Sequence, residues 1–182
     1  YGPSISDRIT EISCLLDYLD IEASHLFCHS TGCGLGISWA SSQPPRVKTL
    51  TLVNPWSYAD EQLTTLQRLR IDAAKQLSPY SYTHFNSTIL FPANYKAEYT
   101  EAFEAKAIAA KRFPHNALQI ERRLNSILNF DARTFTHKVT SPCLLITSKD
   151  DILMPPWHAD NLTKEIKHTT KYCLNFGGHM LP

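Results

Sequence analysis

The sequence of 182 residues is 43% hydrophobic and 19% charged, which is typical of a folded domain large enough to contain an inserted subdomain. Its 18 Lys and Arg residues nearly balance its 17 Asp and Glu residues, so bulk charge does not favour binding to nucleic acid or to a membrane surface. No apolar run approaches the roughly 20 residues that cross a bilayer. The 5 cysteines form no CxxC pair, which indicates reduced thiols, no zinc site and a cytoplasmic location.

The first third of the chain alternates helices with short apolar strands. Apolar residues at helical spacing predict an amphipathic first helix, which Ser4 and Asp7 cap as a pair. Two continuous apolar runs then predict buried strands, with a helix between them that ends before Pro44 and Pro45. The predicted helices are residues 4–20 and 31–42, and the predicted strands are residues 25–30 and 47–53.

The middle of the chain shows helical patterns without strands. Residues 60–77 and 95–112 have long helical patterns, and an aromatic, proline-bearing stretch, "PYSYTHFNSTILFPANY", separates them. Two further apolar runs, residues 143–148 and 171–176, predict strands with a helix over residues 158–166 between them. Strands that alternate with helices predict an α/β fold whose parallel sheet of about four strands is covered on both faces. We expect core segments at 1–55 and 139–182 and a helical cap inserted at 56–138.

The stretch "LFCHSTGCGLG" concentrates glycine around Ser30. Strand, then small-x-Ser-x-Gly, then helix is the layout of a nucleophile elbow, in which Cys28 and Gly32 must be small because strand and helix pass closely. Gly34 and Gly36 would let the helix pack tightly on the sheet. The N–H of Thr31 would then donate to an oxyanion. A phosphate cradle fits less well, because GxGxxG spacing and a P-loop lysine are both missing; a tight turn with an inert serine is the remaining alternative.

A serine nucleophile needs a base and an orienting carboxylate, which elbow enzymes provide in the chain order Ser, Asp or Glu, His. "TSKDDILMPP" follows the third predicted strand, and "NFGGHM" follows the fourth. Both follow carboxyl ends of parallel strands, where open α/β sheets place their sites. These positions make Asp151 the candidate acid, with Asp150 as second choice, and His179 the candidate base. His29, beside the serine, is interpreted as structural.

These motifs resemble the α/β-hydrolase family along nearly the whole chain. The family's acid motif, Gly-x-x-Asp, matches "SKDD" with Ser148 in place of glycine, and the family's alternative acid position falls near Asn54, which has no charge. "LFPANY", "RRLNSILNFDARTFTHKVTSPCLLITSKDDILMP" and "NFGGH" resemble the pyrimidine-utilisation protein D group of proposed aminoacrylate or carbamate hydrolases. Family members begin with four more strands and an His-Gly loop that gives the second oxyanion donor. The resemblance therefore implies a fragment with an open edge at its first strand and impaired activity alone.

The expected function is that of a serine hydrolase of small esters, lactones, amides or carbamates, with Ser30, Asp151 and His179 as the triad. Trp56, Tyr58 and Trp157 are candidate residues for lining the substrate pocket. Neither a metal nor an organic cofactor is expected. The expected partner is a small-molecule substrate, with self-association left open.

Two alternatives to the serine hydrolase stay open. One is the same triad used for C–C hydrolysis or perhydrolysis, and the other is a non-catalytic homologue that binds a ligand.

Overall fold

The computed structural model describes residues 4–180, so the outermost residues of both predicted core segments lie outside the described residues. Four strands form one parallel sheet in which neighbours follow chain order. The predicted α/β fold and four-stranded parallel sheet are thus confirmed. The strands are β1 (Ser24–His29), β2 (Val47–Val53), β3 (Cys143–Ser148) and β4 (Thr169–Leu174).

The described part of the chain contains eight α-helices besides this sheet. α1, α2 and α8 belong to the segments that contain the strands, whereas α3 to α7 all lie between β2 and β3 in the chain, inside the range predicted as a cap. The helices are α1 (Ile5–Tyr18), α2 (Thr31–Ser42), α3 (Glu61–Gln76), α4 (Pro79–Leu90), α5 (Ala93–Glu98), α6 (Thr100–Ala110), α7 (Ala117–Leu128) and α8 (Trp157–Glu165). No helix within residues 4–180 has both the length and the apolar character needed to cross a membrane.

The sheet is buried at its centre and exposed at the β1 edge. Leu50 and Leu52 of β2 and Leu145 of β3 are fully buried, as expected for strands that are covered on both faces. Within residues 4–180, β1 pairs with β2 alone, and Phe27 on β1 is 74% exposed. The predicted edge position of the first strand is therefore observed.

The aromatic stretch between the two long helical patterns differs from its predicted role as a separator. It forms α4 and the start of α5. Pro79 is in the first turn of α4 and Pro92 is the N-cap of α5, where a missing N–H breaks no intrahelical bond. The predicted helix over 95–112 is divided, because Tyr99 ends α5 and caps α6 with a non-helical ψ of 30°.

The glycines of α2 differ in how closely the sheet approaches them. A Cβ added at Gly36 would lie 2.6 Å from Cys28 Sγ and 3.0 Å from Leu50 Cδ1. At Gly32 the nearest contact would be the ordinary 4.0 Å to Cys28 Cβ. The closest approach of helix and strand is therefore at Gly36, one turn beyond the glycine that the elbow pattern emphasises.

We expect Gly36→Ala to lower the free energy of unfolding by about 1–3 kcal/mol through overpacking, partly offset by alanine's higher helix propensity of up to about 1 kcal/mol. Gly32→Ala is the matched control, because it makes the same substitution in the same helix without the clash. Urea unfolding of both variants measures the difference. Equal stabilities would contradict the packing derived for α2.

Candidate active site

Ser30 lies in a strained turn between β1 and α2. Its φ of 51° and ψ of −120° are in a region that costs a non-glycine residue about 1–3 kcal/mol. Two main-chain bonds hold this conformation: the Ser30 N–H donates to Val53 O at 2.9 Å, and the Cys33 N–H donates to Ser30 O at 2.8 Å. The predicted strand over 25–30 thus ends at His29, and Ser30 is the single residue between β1 and α2.

The three residues predicted as a triad lie within hydrogen-bond distance of one another. Ser30 Oγ is 2.7 Å from His179 Nε2, and His179 Nδ1 is 2.9 Å from Asp151 Oδ2. The acid and the base are each only 2% exposed. A carboxylate at Nδ1 requires the proton there, so Nε2 is free to accept the hydroxyl proton of the serine.

The two neighbouring carboxylates have different partners. Asp151 Oδ1 accepts from the backbone N–H groups of Leu153 at 2.8 Å and Met154 at 2.9 Å, which leaves Oδ2 for the histidine. Asp150 instead accepts from the Ser148 hydroxyl and from the N–H of Gly178 at 2.9 Å. Burial works to raise the pKa of Asp150, but these hydrogen bonds outweigh it and hold the pKa below its ordinary value. The geometry favours Asp151 as the partner of the base and gives Asp150 the role of holding the loop.

The backbone of His179 is fixed from three sides. Its N–H donates to Leu90 O at 3.0 Å. Its carbonyl accepts from Asn54 Nδ2 at 2.7 Å and from His29 Nε2 at 2.9 Å. His29 therefore supports the base rather than replacing it, and Asn54, at the family's alternative acid position, supports it as a donor. Sequence patterns alone did not indicate the role of Asn54, although its position after a parallel strand was a signal.

Beside Ser30 lies a cavity of about 260 Å³. Thr31 at its wall begins α2, and the N–H of a first helical residue has no intrahelical acceptor, so it suits an oxyanion. The described residues place no three His, Cys, Asp or Glu side chains where they could hold a metal. The cavity is lined by the elbow and His179 loop on one side and by the helical insertion on the other: His29, Ser30, Thr31, Arg70, Leu90, Arg123, Leu124, Ile127, Leu153, Met154, His179 and Met180.

The structure does not bring the three aromatic residues predicted as pocket lining to this cavity. Trp56 is buried in the core, with its ring centroid 5.2 Å from that of Phe130. The guanidinium of Arg133 covers the Tyr58 ring at 4.1 Å. The Trp157 Nε1–H donates to Asp60 Oδ2 at 2.8 Å. Large aromatic side chains are most often packing residues, and on the side of the helical insertion the lining comes instead from α3, α4 and α7.

Residues 4–182 match the model of the alpha/beta hydrolase fold family. The chain belongs to that family. The chain is 29% identical over 181 residues to the proposed carbamate hydrolase RutD of Stutzerimonas stutzeri, and the match covers 98% of this chain and 67% of that protein. A RutD of Azorhizobium caulinodans is also 29% identical, over 98% of this chain and 68% of that protein. The predicted resemblance to this group is confirmed, and the chain spans about two thirds of the length of these relatives.

Solved structures show the same fold at low sequence identity. An alpha/beta hydrolase, MGS-M2, from a Medee basin deep-sea metagenome superimposes with a TM-score of 0.89 at 16% identity, over 98% of this chain and 66% of that one. The enol-lactonase of Burkholderia xenovorans LB400 gives a TM-score of 0.79 at 17% identity, over 95% of this chain and 65% of that one. At these identities the similarity shows the fold alone.

We expect Asp151→Asn in the complete gene product to lower kcat/KM for an activated ester by about 10³–10⁴-fold, because the amide stabilises neither the tautomer nor the imidazolium. Asp150→Asn is the matched control. It keeps an oxygen for the Gly178 N–H, and we expect it to cost at most about tenfold. Steady-state kinetics on both variants test the assignment, and a larger loss in Asp150→Asn would reverse it.

Asn54 gives a separate prediction for stability. Asn54→Asp replaces a buried donor with a carboxylate facing the carbonyls of His179 and Gly178, 2.7 and 3.4 Å from the present amide nitrogen. Asn54→Gly removes the same donor, keeps the φ of 51° accessible and adds no charge. We expect the aspartate variant to unfold at lower denaturant concentration than the glycine variant at pH 7, because an unpaired buried charge costs more than a lost hydrogen bond.

Proposed function

We propose that this chain forms the catalytic centre of a serine hydrolase acting on small esters, lactones, amides or carbamates. The observation that supports the proposal most directly is the continuous hydrogen-bond series from Ser30 through His179 to Asp151, with spacings of 2.7 and 2.9 Å. In an inert turn, nothing would require a strained serine to meet a buried histidine and a buried carboxylate. The membership of a hydrolase family supports the same conclusion.

The proposed reaction runs in two halves. In the first, the Oγ–H proton of Ser30 moves to His179 Nε2 while Oγ bonds to the substrate carbonyl carbon, and the carbonyl electron pair moves to oxygen near the Thr31 N–H. The carbon–leaving-group bond then breaks, and Nε2 returns the proton to the leaving group. In the second half, water attacks the acyl-enzyme, with His179 as base again, and Ser30 is released.

The size of the site and the names of similar proteins support small substrates. A cavity of about 260 Å³ is slightly smaller than the roughly 300–1,000 Å³ of drug-sized sites. The relatives named as proposed carbamate hydrolases make a carbamate one candidate, and the enol-lactonase neighbour makes a lactone another. The cytoplasmic location and the independence from cofactors stay predictions.

We expect a fluorophosphonate probe to label the complete gene product at Ser30 and p-nitrophenyl acetate to be hydrolysed. Ser30→Ala would abolish the labelling and leave at most about 10⁻³ of the esterase rate, because the nucleophile is gone. Ser42→Ala, at an exposed position at the end of α2, is the matched control and should keep both the labelling and the esterase rate. A wild-type protein that binds carbonyl compounds but is neither labelled nor active would favour the non-catalytic alternative.

The other alternative function is C–C hydrolysis or perhydrolysis by the same three residues. Products from a panel of esters, lactones, carbamates and diketones, each with and without hydrogen peroxide, distinguish it. We expect acids from the esters, lactones or carbamates without peroxide. Cleavage of the diketones alone, or activity only with peroxide, would contradict ordinary acyl hydrolysis.

A further inference from the structure

A buried arginine lies at the wall of the cavity beside the triad. Arg70 on α3 is 5% exposed and lines the same cavity as Ser30 and His179. Burying a charged group is costly unless it is paired and hydrogen-bonded. An arginine at this place therefore needs a counter-charge.

The protein provides only part of what this guanidinium requires. Arg70 Nη1 donates to Gln67 Oε1 at 3.0 Å, and Nη2 donates to Asn86 Oδ1 at 2.9 Å. Both acceptors are neutral amides. Among residues 4–180 no carboxylate forms a salt bridge with Arg70, and its buried Nε has no hydrogen-bond partner. The cation is thus held in place but not neutralised.

The cavity wall contains cationic side chains but no carboxylate. Arg123 on α7 is a second cation in its wall, and the wall contains no Asp or Glu. Burial lowers the pKa of Arg70, and the neighbouring charge of Arg123 lowers it further, although Tyr82 works to raise it. Two cations that repel each other in an acid-free cavity would be stabilised together by a bound anion.

We infer that Arg70, assisted by Arg123, binds a carboxylate of the substrate, so that the enzyme is selective for small carbonyl compounds with an anionic end. A guanidinium donates two parallel hydrogen bonds to a carboxylate, which fixes orientation as well as charge. The cavity that contains Arg70 also contains the nucleophile, so this contact would orient the reacting carbonyl towards Ser30. The inference rests on the proposed function for the reaction, but the anion site can be tested without catalysis.

The kinetic experiment compares mono-p-nitrophenyl succinate, which is anionic, with p-nitrophenyl butyrate, a neutral ester of similar size. The measured quantity is the ratio of their kcat/KM values in the complete gene product. We expect the ratio to favour the anionic ester and to fall about 10- to 100-fold in Arg70→Gln, the range for a lost charged hydrogen-bonded contact. Arg70→Lys would recover part of this ratio, because lysine keeps the positive charge but not the paired N–H donors of the guanidinium.

Two further variants keep the test valid if Arg70→Gln folds poorly. Arg68→Gln removes an exposed arginine from the same helix and should leave the ratio unchanged. Arg123→Gln removes the exposed second cation and should lower the ratio by a few fold. If Arg70 only joined α3 to α4 through Asn86, its loss would slow both esters alike and the ratio would stay constant, which would overturn the inference.

A binding experiment separates this inference from the proposed function. In Ser30→Ala, calorimetry measures the affinity for monomethyl succinate and for neutral dimethyl succinate. We expect the anionic ligand to bind at least tenfold more tightly, and Arg70→Gln in the same background to remove the difference. Equal affinities would contradict the anion site even in an active hydrolase, whereas a preference for the anion in a protein that hydrolyses neither ester would contradict only the proposed reaction.

Discussion

The strained backbone of Ser30 is the constraint on which the rest of the site depends. At φ 51° and ψ −120° the residue leaves β1 and enters α2 without intervening residues, so its hydroxyl projects from the edge of the sheet. The cost of about 1–3 kcal/mol is met because both main-chain groups of Ser30 are bonded, to Val53 and Cys33. A relaxed turn would need extra residues, and these would move Oγ out of its 2.7 Å contact with His179.

The position of His179 depends on the helices between β2 and β3 as much as on the sheet. The N–H groups of His179 and Met180 both donate to the carbonyl of Leu90, the last residue of α4, at 3.0 and 3.1 Å. Gly178, at φ 62°, lies so close that an added Cβ would be 2.8 Å from Pro92 Cδ. A displacement of this end of α4 would therefore move the imidazole directly. Leu90 thus lines the cavity and also holds the backbone of His179.

Local patterns were enough to predict the four strands and the meeting of Ser30, His179 and Asp151, but not the cavity wall. β2 and β3 match their predicted bounds because each is a continuous apolar run between turn-forming residues. The aromatic stretch is predicted as a separator because its prolines favour breaks between helices, whereas in the fold Pro79 starts α4 and Pro92 caps α5. Arg70 was not predicted at all. The sequence does place this charged residue on the same face of α3 as the buried Leu63 and Ile71. Only the folded chain shows that Arg70 lines the same cavity as Ser30.

In the proposed reaction His179 becomes positive, which the two cations in the wall of the same cavity would disfavour unless something offsets their charge. In that reaction, the charge of Arg70 would oppose the imidazolium formed when His179 accepts the serine proton, but it would favour the oxyanion that forms at the same time. Asp151, buried against Nδ1, offsets the imidazolium permanently, whereas nothing in the described protein offsets the guanidinium. A substrate carboxylate would cancel the opposing field only while that substrate is bound. Selectivity for anionic substrates would then affect kcat as well as KM, because a neutral substrate leaves the cation uncompensated while the proton moves.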